Sequence, residues 1–249
     1  MDIIYDKILD LSKHNGDVDF SKVKADGIQG VIIRAGYGNS NIDEKFKQNI
    51  ESAYMQGLHI GVYWFGYAYS VSQAEKEADF LLNLLDNYKG KIDMPIFYDW
   101  EYDSYQYALK NGVTVDKKLC TDMTIAFMDK LESKGYYTGF YANIDYLTNY
   151  YEDRIKSRYA CWVAQWSNKC TYTNQYGFWQ YTSTGKVNGV SGNVDISHCY
   201  VDYPKIIKER GFNGYKATSD NAIKITFELD RAEYESFKNT IDKISNSLN

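Results

Sequence analysis

Histidine, cysteine and proline are scarce here, with three, four and two residues in a chain of 249. The histidines, His14, His59 and His198, stand far apart, with no HExxH and no His/Cys ligand spacing, which argues against a zinc site. Cys120, Cys161, Cys170 and Cys199 form no CxxC pair, so buried free thiols are the expected state. No apolar run approaches the roughly 20 residues that a membrane-spanning helix needs, and no membrane insertion is expected. The opening MDIIYDKILDLSK carries acids where a secretory signal has a basic start, and it lacks a small-residue cleavage site. The chain is therefore read as having no signal peptide and as made in the cytoplasm. Positive charge is also short, since 28 Lys and Arg against 33 Asp and Glu leave a net charge of −5. Affinity driven by phosphate neutralisation needs a basic surplus, so nucleic acid and anionic lipid are not expected as partners. AGYGNSN lacks the third glycine of a dinucleotide fingerprint, no GxxxxGK(S/T) occurs, and GVSGN misses the GxSxG nucleophile elbow. Neither a cofactor nor a metal is expected.

Tyrosine, by contrast, is abundant, with 25 residues within an aromatic fraction of 16%. Tyr and Trp combine an apolar face with a polar handle, which suits sugar-lined grooves and equally suits half-buried strands. Short apolar runs, KILDLS, GVIIRAGYG, HIGVYWFGYA, MPIFYDWEY, YTGFYAN, CWVAQWS and GFWQYTS, read as buried strands. Helical segments are expected between the first five, at about 20–26, 43–56, 71–88 and 116–134. Alternating strands and helices imply parallel strands with right-handed crossovers, hence an α/β sheet or closed barrel. Beyond about residue 160 the strands follow one another with little helix, so the expected fold is an α/β barrel whose last part is stripped of helices.

The expected barrel domain spans 1–209, followed by a polar, Gly-containing linker at 210–221. Residues 222–249 read as a strand, AIKITFEL, and an amphipathic helix. Asp230 and Glu233 make a capping box there, and Tyr234, Phe237, Ile241, Ile244 and Leu248 recur at three- and four-residue steps. Such a segment cannot bury its own core, so docking on the barrel or self-association through the helix is expected, with a wall or partner contact as the remaining alternative.

In α/β barrels the reactive residues sit at the C-terminal ends of strands. Asp10, Asp99, Glu101 and Asp195 all fall at or near expected strand ends. On a strand, residues i and i+2 share a face about 6.6 Å apart, so Asp99 and Glu101 point together while Trp100 points away. Two like charges in a partly dry site favour keeping one protonated, which is the requirement of a general acid in glycoside hydrolysis. A plain alternative is that both acids face solvent at a strand end. His198, three residues after Asp195, reads as a loop histidine without a ligand role.

Several separated segments together resemble one family, the lysozymes of glycoside hydrolase family 25, or Chalaropsis-type muramidases. ILDLSKHNGDVDF resembles the first strand and its turn, GVIIRAGYG the second strand, GVYWFGYA the third, and PIFYDWE the fourth with its DxE. FWQYTSTGKVNGVSGNVDISHCY resembles the closing segment, and the matches run in order over roughly residues 3 to 203. The resemblance implies an irregular TIM-like (β/α)5(β)3 barrel that hydrolyses the β-1,4 bond between N-acetylmuramic acid and N-acetylglucosamine in cell-wall peptidoglycan. It implies Glu101 as the general acid, Asp99 as its partner, and Asp10 and Asp195 as the other acids of the cleft floor. Tyr63, Tyr141 and Trp166 match strands that line the groove. A relative with chitinase activity carries a longer DxDxE run, whereas position 97 here is Phe, which counts against a chitinase. Asp99 is expected to orient the substrate's 2-acetamido group with retention, and activation of a water with inversion remains the alternative. A phage-type endolysin, released through a pore to reach the wall, is the expected setting, with export by a route not visible in the sequence as the alternative. A non-catalytic glycan-binding barrel, or a glycosidase acting on another N-acetylated polysaccharide, would share the same groove.

Overall fold

The computed structural model describes residues 1–218 together with Tyr234, Ser236, Lys238 and Thr240, which are helical. Residues 1–218 form one compact unit and 219–249 another. The expected strand at 222–229 lies outside the described residues, as does most of the expected C-terminal helix.

The first half alternates strand and helix: β1 (Tyr5–Leu11), α1 (Phe20–Ala25), β2 (Gly30–Tyr37), the short β3 (Asn41–Ile42), α2 (Phe46–Met55), β4 (His59–Phe65), α3 (Val71–Leu85) and β5 (Ile96–Asp99). Then come α4 (Tyr102–Lys110), α5 (Lys117–Glu132), β6 (Thr138–Asn143), α6 (Ile144–Asn149), α7 (Asp153–Lys156), β7 (Ala160–Ala164), β8 (Phe178–Gly185), β9 (Val194–Cys199) and α8 (Tyr203–Arg210). Polar side chains start the helices: Ser70 accepts the Gln73 N–H at the head of α3, and Asp116 accepts the Leu119 N–H at the head of α5. α4 was not anticipated. Its N-cap is Glu101, which is not among the usual capping residues, and Tyr-rich sequence carries little helical signal.

Eight strands close into a barrel, with β3 attached to the edge of β2. β1, β2, β4, β5, β6, β7 and β8 are parallel in succession, while β9 runs antiparallel between β8 and β1. This is the TIM-like (β/α)5(β)3 arrangement, with helices absent between β7, β8 and β9. Parallel strands covered by helices are buried on both faces, which explains why β2 has seven of its eight residues buried.

Alternation along the strands separates two cores. Leu9, Val31, Ile33, Val62, Tyr98 and Phe140 pack outward with the helices. Ile8, Ile32, Phe97, Trp162 and Phe178 fill the barrel interior. Gly139 makes room there, because a Cβ would stand 2.7 Å from the Phe97 ring. Since the strand period is two, the inward positions next after these plugs are Asp10, Arg34, Asp99, Ala164 and Gln180. An apolar plug thus carries a polar layer toward the C-terminal mouth.

At the opposite end, Asn213 adopts a left-handed φ of 54° and is buried. Its Oδ1 accepts the Tyr137 N–H at 2.8 Å, and its Nδ2 donates to the Ile92 and Met94 carbonyls at 3.0 and 3.2 Å. The first residues of the expected linker are therefore tied to the barrel floor. Cys120, Cys161 and Cys199 are buried, Cys170 is half-buried, and all four are free thiols. Among the described residues no helix is long and apolar enough to cross a membrane.

Candidate active site

Asp10 lies next to the last residue of β1 and pairs directly across the antiparallel ladder with Asp195. Because β9 runs backwards, its second residue, Asp195, opens at the same mouth as the ends of the parallel strands. Asp99 is the last residue of β5, in register with Phe65 on one side and Tyr141 on the other. Glu101 was expected on the strand itself. It sits instead at the N-cap of α4, but its backbone is extended (φ −141°, ψ −157°), so the alternation continues through it. Trp100 between them turns away and is fully buried, its indole N–H donating to the Ala68 carbonyl at 2.8 Å.

The four carboxyls perturb one another. Burial drives the proton affinity of Asp99 well above the usual carboxylate range, and the charges of Glu101 and Asp10 push it further, while Arg34 opposes them. Burial, then the neighbouring Asp103 and Asp195, raises Glu101 to about 7. Burial also raises Asp10 well above its usual value, and the facing Asp195 adds to this. Asp195 is raised by burial and relieved by its hydrogen bond with Asp10, so the two facing carboxyls favour one proton between them.

Polar contacts fix the surrounding side chains. Gln180 Nε2 donates to Asp10 Oδ2 at 3.0 Å, and its Oε1 accepts from the Tyr141 hydroxyl at 3.2 Å and the Trp166 indole at 3.0 Å. Arg34 Nε donates to the buried Asp43 at 2.7 Å. Asp99 Oδ1 is buried without a hydrogen-bond partner, an acceptor awaiting a donor. Behind Asp99, Glu77 of α3 accepts from the Tyr98 hydroxyl at 2.7 Å and the Tyr67 N–H at 2.9 Å. That brace steadies the loop after β4, whose Gly66 N–H donates to the Asp99 carbonyl at 2.8 Å.

Tyr63 is inward on β4, where Asp10 and Asp99 both act on its phenol. Tyr141 is inward on β6 and only 9% exposed, its ring 4.9 Å from Trp162. Trp166, expected on a strand, lies just past the end of β7 and is 63% exposed, leaving an open aromatic face at the rim. His198, expected in a loop, stands on β9 opposite Trp179, its ring stacked on Tyr181 at 4.3 Å and its Nδ1 bonded to the Asp6 carbonyl.

Sequence reasoning did not single out Gln180 or Arg34. Both carried a faint signal, one long polar residue inside an apolar run, GFWQYTS and GVIIRAGYG. The arrangement as a whole offers a protonated carboxyl at neutral pH, a second carboxyl poised to accept a hydrogen bond, and aromatic walls. That combination suits general-acid cleavage of a glycosidic bond.

The glycosyl hydrolases family 25 model matches residues 9–190. The chain is 28% identical over 195 residues to the autolytic lysozyme of Clostridium acetobutylicum, covering 76% of this chain and 54% of that protein. It is 26% identical over 185 residues to a D-alanyl-L-alanine endopeptidase of Streptococcus phage B30, covering 65% of this chain and 38% of that one. The solved structure of the modular autolysin LytC from Streptococcus pneumoniae superposes with a TM-score of 0.70 at 30% identity, covering 79% of this chain and 47% of LytC. The chain thus spans about half the length of the autolytic lysozyme and of LytC. With most of the barrel inside the family match, the chain belongs to glycosyl hydrolases family 25.

Proposed function

We propose that the chain is an N-acetylmuramidase, hydrolysing the β-1,4 bond between N-acetylmuramic acid and N-acetylglucosamine in bacterial cell-wall peptidoglycan. The observation that carries this reading is the juxtaposition of Glu101, raised to about 7, with Asp99, whose buried Oδ1 lacks a partner. Glu101 donates its proton to the glycosidic oxygen as the bond to the anomeric carbon breaks. The carbonyl oxygen of the sugar's own 2-acetamido group attacks that carbon, and Asp99 Oδ1 accepts the acetamido N–H. Water then opens the cyclic intermediate and gives its proton to the Glu101 carboxylate, so configuration is retained. Arg34 offsets part of the rise that burial and the charges of Glu101 and Asp10 impose on Asp99, whose unpartnered Oδ1 can accept while Glu101 keeps its proton. Asp10 and Asp195 hold the sugar from the cleft floor, Tyr63 and Tyr141 line it, and Trp166 supplies the outer platform.

Catalysis is assigned to residues 1–209, and docking or self-association to 222–249. The similarity to a protein of Streptococcus phage B30 supports a phage-type endolysin, made in the cytoplasm and acting on the wall after release. Digestion of purified peptidoglycan, borohydride reduction and mass spectrometry test the activity. New reducing muramic ends are expected, and reducing glucosamine ends or no muropeptide release would refute it. An inverted anomer in the first product seen by NMR would remove the acetamido step.

A further inference from the structure

A cavity of about 840 Å³ lies beside the catalytic acids, between the turn after β2, the loop after β4, and helices α3 and α4. Its size is within the range of specific ligand sites. Four tyrosines wall it, Tyr37, Tyr67, Tyr69 and Tyr107, with the Tyr107 ring 5.1 Å from Tyr67 and 6.1 Å from Tyr69. Lys76 on α3 and Lys110 on α4 also line it; both are exposed, and neither makes an ion pair or hydrogen bond among the described residues. The acids in the lining are Asp103 and Glu77, and Glu77 is raised to about 7 by burial and has hydrogen bonds to Tyr98 and Tyr67.

The cavity adjoins a second recess on the side of the catalytic acids. Tyr37, Tyr67 and Asp103 line both the cavity and this smaller recess of about 290 Å³, which also includes Arg34 and Lys13. Asp103 is two residues from Glu101 and acts on its carboxyl. In the recess, Arg34 is only 9% exposed, and its Nη2 is buried with no hydrogen-bond partner although Nε is used by Asp43. Buried guanidinium nitrogens are normally satisfied, and an unused one beside a tyrosine-walled, lysine-bearing cavity points to an acidic ligand.

A glycan lying over Asp99 and Glu101 carries its peptide sideways, from the lactyl ether of the muramic sugar. We propose that this cavity receives that acidic peptide stem, with Lys76 and Lys110 holding its carboxylates and the tyrosines packing along it. The inference rests on the muramidase reading and adds to it a part of the substrate that the hydrolytic acids do not touch. It makes the stem, and not only the sugar chain, a determinant of substrate choice.

The test uses uncross-linked, polymer-free peptidoglycan chains in two forms, stem-bearing and stripped of stems by an amidase. Reducing-end kinetics should give about a tenfold higher kcat/KM on the stem-bearing form, mostly through KM. In K76M/K110M that ratio should fall to about one, with the rate on stripped chains unchanged. A ratio kept in the double variant, or equal rates of the unsubstituted chain on both forms, overturns the proposal. Should neither form yield reducing ends, the muramidase reading fails instead. Calorimetric titration of the full chain with soluble stem tetrapeptide then decides the cavity separately, since saturable binding lost in K76M/K110M supports it and absent binding overturns it.

Discussion

Glu101→Gln should abolish hydrolysis and at the same time stabilise the protein, but only above mildly acidic pH. The carboxyl has an ordinary value of 4.5 and is held at about 7 in the fold. Between those values the native state binds more protons than the unfolded chain, so stability falls as pH rises through the window. Below 4.5 the group is protonated in both states and contributes nothing; above 7 its full penalty is present. At ~1.4 kcal/mol per tenfold change in proton affinity, the penalty has an upper bound of about 3.5 kcal/mol. An ionised Glu101 at the N-terminus of α4 recovers roughly 0.5 kcal/mol from the helix dipole, leaving a net gain of about 3 kcal/mol for the amide. Relief of Asp99, on which the Glu101 charge acts, has the same sign. Urea unfolding of both proteins at pH 4 and pH 8 measures the difference. The expected result is equal stability at pH 4, a gain of ~3 kcal/mol at pH 8, and a Tm rise there of roughly 6–12 °C. Loss of the proposed general acid should lower hydrolysis about 100-fold or more. Equal stability at both pH values would refute the account of a buried, proton-retaining Glu101, even with activity lost.

Further outcomes test other parts of the structure. In the unsubstituted protein, hydrolysis should fall tenfold per pH unit above about 7, as Glu101 loses its proton, and an alkaline limb centred near 4.5 would contradict the assignment. Gln180→Leu strands the Tyr141 hydroxyl, the Trp166 indole and Asp10, so kcat/KM should fall about tenfold or more while circular dichroism stays unchanged. Trp166→Ala removes an exposed platform and should raise KM several-fold with stability within ~0.5 kcal/mol, as read by chemical denaturation. Asn213→Ala leaves the Ile92 and Met94 carbonyls and the Tyr137 N–H without their partner, and should cost about 2–4 kcal/mol in urea unfolding with kcat unaltered. A chain ending at residue 218 should keep muropeptide release, and light scattering on both lengths tests the self-association assigned to the tail.

Local pattern settled much of this protein. The period of two along GVIIRAGYG and MPIFYDWEY makes Arg34 and Asp99 inward by the same parity that buries Ile32 and Phe97. The helical period and polar caps of α3 and α5 mark those elements closely, because caps and amphipathic spacing are short-range properties. The DxE pair was legible for the same reason, since two residues of extended chain share a face wherever the chain goes. What lies across the barrel was not legible. Asp10 faces Asp195 only because β9 turns back antiparallel and closes on β1, a pairing between distant segments that no local period encodes. Gln180 becomes a hub, and Glu101 a weak acid, only when strands and helices from the whole chain exclude water around them. Desolvation and charge coupling depend on distances in space, so the sequence by itself determined which side chains point inward, and tertiary closure decided which of them meet and where their protons reside.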